Sequence, residues 1–323
     1  MRGLRAPGND EQGGVAVIVA IAMVALLGFA AISIDVARLY SERSQLQNGS
    51  DAAALMIAQK CAKSLTDPQC SPTSTDAAAL ANKNALDSLS NIKSIVLDKT
   101  TRKVSVTASA QESGKAPNVV TSLFARVFGI SSTTVSAQSR VEWGTPSKGI
   151  VAVPLAIAAC KFNLTAGTSV APEQVIDMGV GCGSVPGGFG WINDADTQCS
   201  VSISAGQSSD SGIWFTSDTG ASAPTVCTAS NLSKMNDQTV LFPLYDVATG
   251  TGSSGKYYVK GFAAFHVTGY HFATVSWSLS GSAPNNKAIR GYFVKFVSLN
   301  QTLELGSSPD YGTAVVRLTN GAT

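Results

Sequence analysis

Val15-Ala-Val-Ile-Val-Ala-Ile-Ala-Met-Val-Ala-Leu-Leu-Gly-Phe-Ala-Ala-Ile-Ser-Ile34 decides how this chain is built. It carries no charge and a single hydroxyl, and about 20 such residues are what a bilayer core requires. Past Ile34 the sequence turns polar without a proline, and Val36, Leu39, Leu46, Ala53 and Ile57 recur at spacings of three, four or seven. The two halves therefore read as one rod from near Val15 to near Ala62, about 70 Å long at the rise of an α-helix. The apolar half exceeds the roughly 7–15 residues of a signal peptide's core, and an amphipathic helix follows at once, so it reads as retained despite the small-x-small Ala31-Ile32-Ser33.

The rest of the composition fits a chain that works outside a cytosol. Charged residues are 14% of the 323, hydrophobic residues 44%, and the net charge is +2. Without a basic tract, nucleic acid is not an expected partner. Six cysteines (Cys61, Cys70, Cys160, Cys182, Cys199, Cys227) all follow the span, an even count that fits disulfides made on the oxidising side of a membrane. Arg2 and Arg5 before the span nearly balance Arg38 and Arg43 after it, so the cysteines set the orientation: N-terminus cytoplasmic, everything from Asp35 outward.

Four segments are expected. Residues 1–14 form a polar, glycine-rich cytoplasmic stub, in which Asp10 and Glu11 complement the positive end of the helix dipole. Residues 15–34 form the transmembrane helix. Residues 35–144 form the outer half of the rod and a small α+β domain: a helix from Asp76 to about Asn91, a hairpin of Ser94–Asp98 and Lys103–Ala110 about the turn Lys99–Arg102, a helix over Asn118–Phe128 ended by Gly129, and a strand from Thr133 to Trp143. Gly144-Thr-Pro-Ser-Lys-Gly149 reads as a linker. Residues 145–323 form a β-rich domain, with Ile150–Ala158 as a buried strand and further strands at 211–216, 240–244, 257–270, 271–279, 288–299 and 313–318. Cys61 and Cys70 bracket a short loop that can close locally, whereas the remaining four cysteines allow three pairings.

The residues that resemble chemistry fail on inspection. Gly250-Thr-Gly-Ser-Ser-Gly-Lys256 has phosphate-loop spacing, but Tyr257 stands where a magnesium-binding hydroxyl belongs and a strand follows where a helix must begin. The glycines of Gly181–Trp191 read as turns. His266 and His271 lie five apart, on opposite faces of an uninterrupted strand, and neither sits near a cysteine; no Cys-x-x-Cys pair and no Gly-x-Ser-x-Gly elbow occurs. No catalytic, metal or cofactor site is expected. Phe189, Trp191, Trp214, Tyr257, Tyr270 and Trp277 could form a binding surface, although core packing is their commoner use.

Gly14-Val-Ala-Val, the alanine-rich span, then Asp35-Val-Ala-Arg38-Leu-Tyr40 and Leu46-Gln47-Asn-Gly-Ser-Asp51-Ala52-Ala53-Ala-Leu55 resemble the N-terminal segment of the TadE/TadG-like proteins of Flp (Tad, tight-adherence) pilus assembly. The resemblance covers about 45 residues, and its specificity lies in the order of these boxes. It implies a single-pass, outward-facing, minor pilin-like or assembly component of an adhesive pilus. Two departures stand out: no glutamate lies inside the apolar run, as a prepilin-type processing site would have, and there is no Asp-x-Ser-x-Ser adhesion motif. Read from the residues alone, Ala52–Ala54 permit close approach to another element, while Asp51 with Arg38 or Lys60 are solvated charges on the other face.

The expected molecule is thus an α+β protein: a transmembrane helix leading into a small pilin-like domain, then a disulfide-stapled β-rich domain. It acts by association, without cofactor, with the lipid bilayer and other pilus proteins, copies of itself included, as partners. An adhesin or ligand-binding module tethered by the helix is the alternative, and a secreted hydrolase a third.

Overall fold

The computed structural model describes residues 10–165, 168–183, 185, 187–193, 195–206, 214–218, 223–250, 255–299, 302–306 and 308–319. One helix, α1 (Asp10–Lys63), accounts for 54 of them, about 80 Å at 1.5 Å per residue. No proline interrupts it, and at its end Lys295 donates through Nζ to the otherwise unpaired carbonyl of Lys63.

The two halves of α1 have opposite surroundings. From Val15 to Ile34 the large side chains are exposed. Among the described residues this is the one helix long and apolar enough to cross a membrane, with a mean hydropathy of 2.9 over its most apolar window and none of that window buried. Uncovered apolar surface on a soluble monomer rarely exceeds roughly a few hundred Å2, so the segment is a candidate membrane span. In the polar half, Leu46, Ala53, Ala54, Ile57 and Ala58 are buried. The stripe read from the sequence is covered by the chain's own head, except at Val36, which stays exposed.

What covers it is a seven-stranded sheet and a short helix. The sheet runs β1 (Ser90–Asp98), β2 (Lys103–Ala110), β5 (Ser136–Val151), β17 (Thr313–Leu318), β15 (Phe296–Ser298), while β9 (Val201–Ser204) and β16 (Glu304–Gly306) pair with the far half of β5. Ile57, Ala53 and Ala54 pack with Val104, Val106, Val141, Trp143 and Val316, so the helix lies across strands from both ends of the chain. Helix α2 (Thr75–Lys83), capped by Ser74, crosses α1 at Gly49, where an added Cβ would stand 3.2 Å from the Ala81 carbonyl oxygen. A small hairpin, β3 (Val119–Thr121) with β4 (Ser132–Thr134), completes this end.

The second sheet has eight strands in the order β10 (Trp214–Asp218), β8 (Phe189–Ile192), β6 (Leu155–Ala158), β11 (Thr239–Thr249), β12 (Lys256–Phe272), β14 (Ala288–Val294), β7 (Gln174–Asp177), with β13 (Val275–Ser278) beside β12. Because β10 also pairs with the start of β12, five strands close into a ring. A short helix, α3 (Ala229–Leu232), contributes Leu232 to the large core beneath. The six cysteines form Cys61–Cys70, Cys160–Cys182 and Cys199–Cys227, each a neighbour in sequence.

Several sequence readings change. Residues 144–149 are not a linker: they lie within the 16-residue β5, which pairs with β2 and β17 over its first half and with β9 and β16 over its second. Its glycine belongs there for packing, since a Cβ at Gly149 would fall 2.1 Å from a Leu303 methyl. Asn118–Phe128 is not a helix but β3 followed by a 3-10 turn, Ala125–Phe128, because Val119–Thr121 pair across to β4. The second helix stops at Lys83 and the chain is already a strand by Ser90. Ile150–Ala158 is two strands, broken before Pro154, a residue without an N–H to give a ladder. The stub is described only from Asp10, and residues 251–254 of the glycine-rich turn lie outside the described residues, although Lys256 opens β12.

Candidate functional site

The join between span and head is built around Asp35, the first residue after the apolar run. Its side of α1 faces the connection between β3 and β4. There the backbone N–H groups of Leu123, Phe124 and Ala125 donate to its carboxylate at 2.9, 2.9 and 2.7 Å. A short helical turn starts with unpaired amides, and here a carboxylate from 88–90 residues away supplies their acceptor. Asp35 is only 7% exposed. The Ala125 N–H lowers its pKa most, the other two amides and Arg38 add to this, and burial opposes it.

One turn on, Arg38 donates to the Thr121 carbonyl at 3.3 Å and stands 3.6 Å from Glu112. Glu112 in turn accepts from the Thr121 N–H and hydroxyl at 3.2 and 2.6 Å. Arg38 and Asp35 thus fasten the C-terminal end of β3 and the turn that follows it to the rod. Leu46 closes the base, buried with Ala108, Ala110, Val120, Val135 and Ala137, with Leu39 against them.

Further up, Asp51 is not on a solvated face. It accepts from Ser139 of β5 at 2.5 Å and from Gln47 at 2.8 Å. Ala53 is fully buried, while Ala52 and Leu55 are half-buried beside it. Of the residues quoted from the polar half of the rod, Tyr40 points away from the head at 73% exposure, and Val36, Ala37 and Asn48 are exposed as well. Ser139, Glu112, Thr121 and the amides of 123–125 lie 60 or more positions from their partners, and no spacing in the sequence signals them.

This arrangement holds a helix to a hairpin and a sheet. Among the described residues no group of three metal-ligating side chains converges. His266 is bracketed by Thr239 (3.2 Å) and Asp237 (3.1 Å) and stacks on Tyr292, and His271 contacts the Pro284 carbonyl. Neither lines the open cleft of about 420 Å3 beside β5, whose Glu142 is already paired with Arg317. Phe189, Trp191 and Tyr270 are buried, and Trp214, Tyr257 and Trp277 half-buried, so they form no exposed aromatic platform.

The rod with its Asp35, Arg38 and Asp51 contacts is also where the chain is similar to known proteins. Residues 13–59 match the Tad family, the TadE/G-like Flp pilus-assembly domain. That Tad segment begins just before the apolar run and ends inside the buried stripe. It therefore takes in the span, the Asp35 clamp and the Asp51 contact, and leaves out both sheets. No curated protein and no solved structure matches the chain.

Proposed function

We propose that this protein is a membrane-anchored, non-enzymatic structural component of a Tad/Flp-type pilus system, a minor pilin-like or assembly protein that works by association with other pilus proteins. The observation that carries the reading is how the Tad segment is used. Its inner stripe is consumed by the chain's own head, which leaves the apolar span and the face with Val36 and Tyr40 for contacts outside the molecule. In this reading residues 1–14 lie in the cytoplasm and 15–34 cross the membrane. The pilin-like portion, 35–144, and the β-rich portion, 145–323, stand outside, sharing β5.

The adhesin alternative loses support, since the aromatic residues that suggested a ligand surface are largely interior. Cutting the chain near residue 145 would not separate the two ideas, because β17 would leave the first sheet with the rest. A cleaner test removes the whole protein from a cell that makes Flp-type pili. Loss of pili, restored by the full chain, supports an assembly role. Pili of normal number in its absence would refute it, and pili that form but no longer attach would return the adhesin reading.

A further inference from the structure

The loop that Asp35 captures carries more apolar surface than a solvent-exposed turn should. Ser122-Leu-Phe-Ala-Arg-Val-Phe-Gly-Ile-Ser131 exposes Val127 at 81% and Phe128 at 68%, with Leu123, Phe124 and Ile130 also exposed. These five side chains sit together on one short turn, closed by Gly129 in the left-handed region at φ 84°. Among the described residues, none in the head buries them.

Their position along the rod says what does. The base of the hairpin, Val120 and Val135, packs at the level of Leu39 and Leu46. Four residues further, the amides of 123–125 bond Asp35. The hairpin therefore runs down α1 towards its N-terminus, and its tip, 126–130, lies at or below the first polar residue after the span. On the same face of α1 one turn lower, Ala31 is half-buried, whereas the other residues from 29 to 34 are exposed.

We propose that this loop is a second membrane contact: its tip dips into the outer headgroup and acyl boundary beside the span, with Val127 and Phe128 in contact with lipid. The inference rests on the membrane-anchored reading above. Its occupant is lipid because the exposed apolar patch continues that of the span, held at that level by the Asp35 clamp. Charge agrees. Arg126 is the only charged residue in the tip, and no acidic residue occurs from 113 to 141, so a cationic side chain can reach up to anionic headgroups while its neighbours bury. With a span and a foot, the head would be held at a set height and rotation above the bilayer.

The test uses the full chain in phosphatidylcholine–phosphatidylglycerol vesicles, with or without bromine on the acyl chains, reading tryptophan emission after subtracting the parent protein. Val127→Trp is the probe, Phe128→Trp repeats it, Phe29→Trp marks the span and Val96→Trp marks exposed head. A ring about 5–10 Å into the interface is quenched roughly twofold or more, so Val127→Trp, Phe128→Trp and Phe29→Trp should all dim and Val96→Trp should not. Quenching at Phe29→Trp without quenching at positions 127 and 128 overturns the foot and leaves the anchor. An unquenched Phe29→Trp overturns both. Blue-shifted but unquenched emission at Val127→Trp would mean that protein, a second copy included, covers the loop, and also overturns the proposal.

Discussion

Ile57→Ala asks whether the outer half of α1 belongs to its own head. Ile57 is fully buried among Ala53, Ala54, Val104, Val141, Trp143 and Val316. Its truncation removes three carbons, about 2.4 kcal/mol of transfer free energy at roughly 0.8 kcal/mol each. The cavity left between a helix and a seven-stranded sheet cannot close fully, so the total should reach about 3–4 kcal/mol. At roughly 2–4 °C per kcal/mol for a domain of this size, the unfolding midpoint of the full chain in detergent micelles falls by about 10 °C. Near-UV circular dichroism is the suitable signal, since Trp143 shares the cluster. Leu86→Ala, at a side chain 87% exposed, serves as the control and should stay within about 0.5 kcal/mol. If Ile57→Ala cost no more than Leu86→Ala, the stripe would not be packed internally, and pairing between copies would become its explanation.

Other consequences follow from the same contacts. In Asp35→Asn the amides of Leu123, Phe124 and Ala125 should lose hydrogen-exchange protection at neutral pH while those of β2 keep it. Because the folded pKa of Asp35 is lowered, its contribution is complete above the ordinary carboxylate value of about 3.9 and is lost as pH falls through the folded value. The gap in melting temperature between native protein and Asp35→Asn should therefore hold at pH 5–7 and close under acid conditions; a gap that widened in acid would contradict the clamp. Gly49→Leu should lower stability by about 1–3 kcal/mol, measured by denaturant titration, since the Ala81 carbonyl leaves no room for a side chain. Removing the Cys199–Cys227 link by replacing both with Ala should cost about 3–4 kcal/mol, given the 28-residue separation it closes, and titration of the native chain should find no free thiol.

How far the sequence shows this structure depends on whether the cause is local. The rod is legible because an apolar run without proline leaves the backbone one way to satisfy itself, and the β1–β2 hairpin because alternating residues flank the turn at Lys99–Arg102. The Asn118–Phe128 segment misleads because Val119, Val120, Leu123 and Val127 fall at helical spacings, while what fixes its shape is the pairing of Val119–Thr121 with β4 and, for the turn after it, a carboxylate almost ninety positions away. The supposed linker at 144–149 misleads for a related reason: glycine and proline there mark close packing against Leu303 and a pairing of Pro146 with Leu305, not a break. The return of β17 to the first sheet, and the partnership of Asp51 with Ser139, leave no trace in any window of sequence. At the candidate site, the residue types along the rod could be picked out, but their acceptors and donors on the head could not.

Alkaline carbonate washing of membranes from cells making the full chain tests the central claim most directly. With Val15–Ile34 inserted in lipid, the intact protein should remain in the membrane pellet. Intact protein recovered in the supernatant would contradict the anchor and everything built on it.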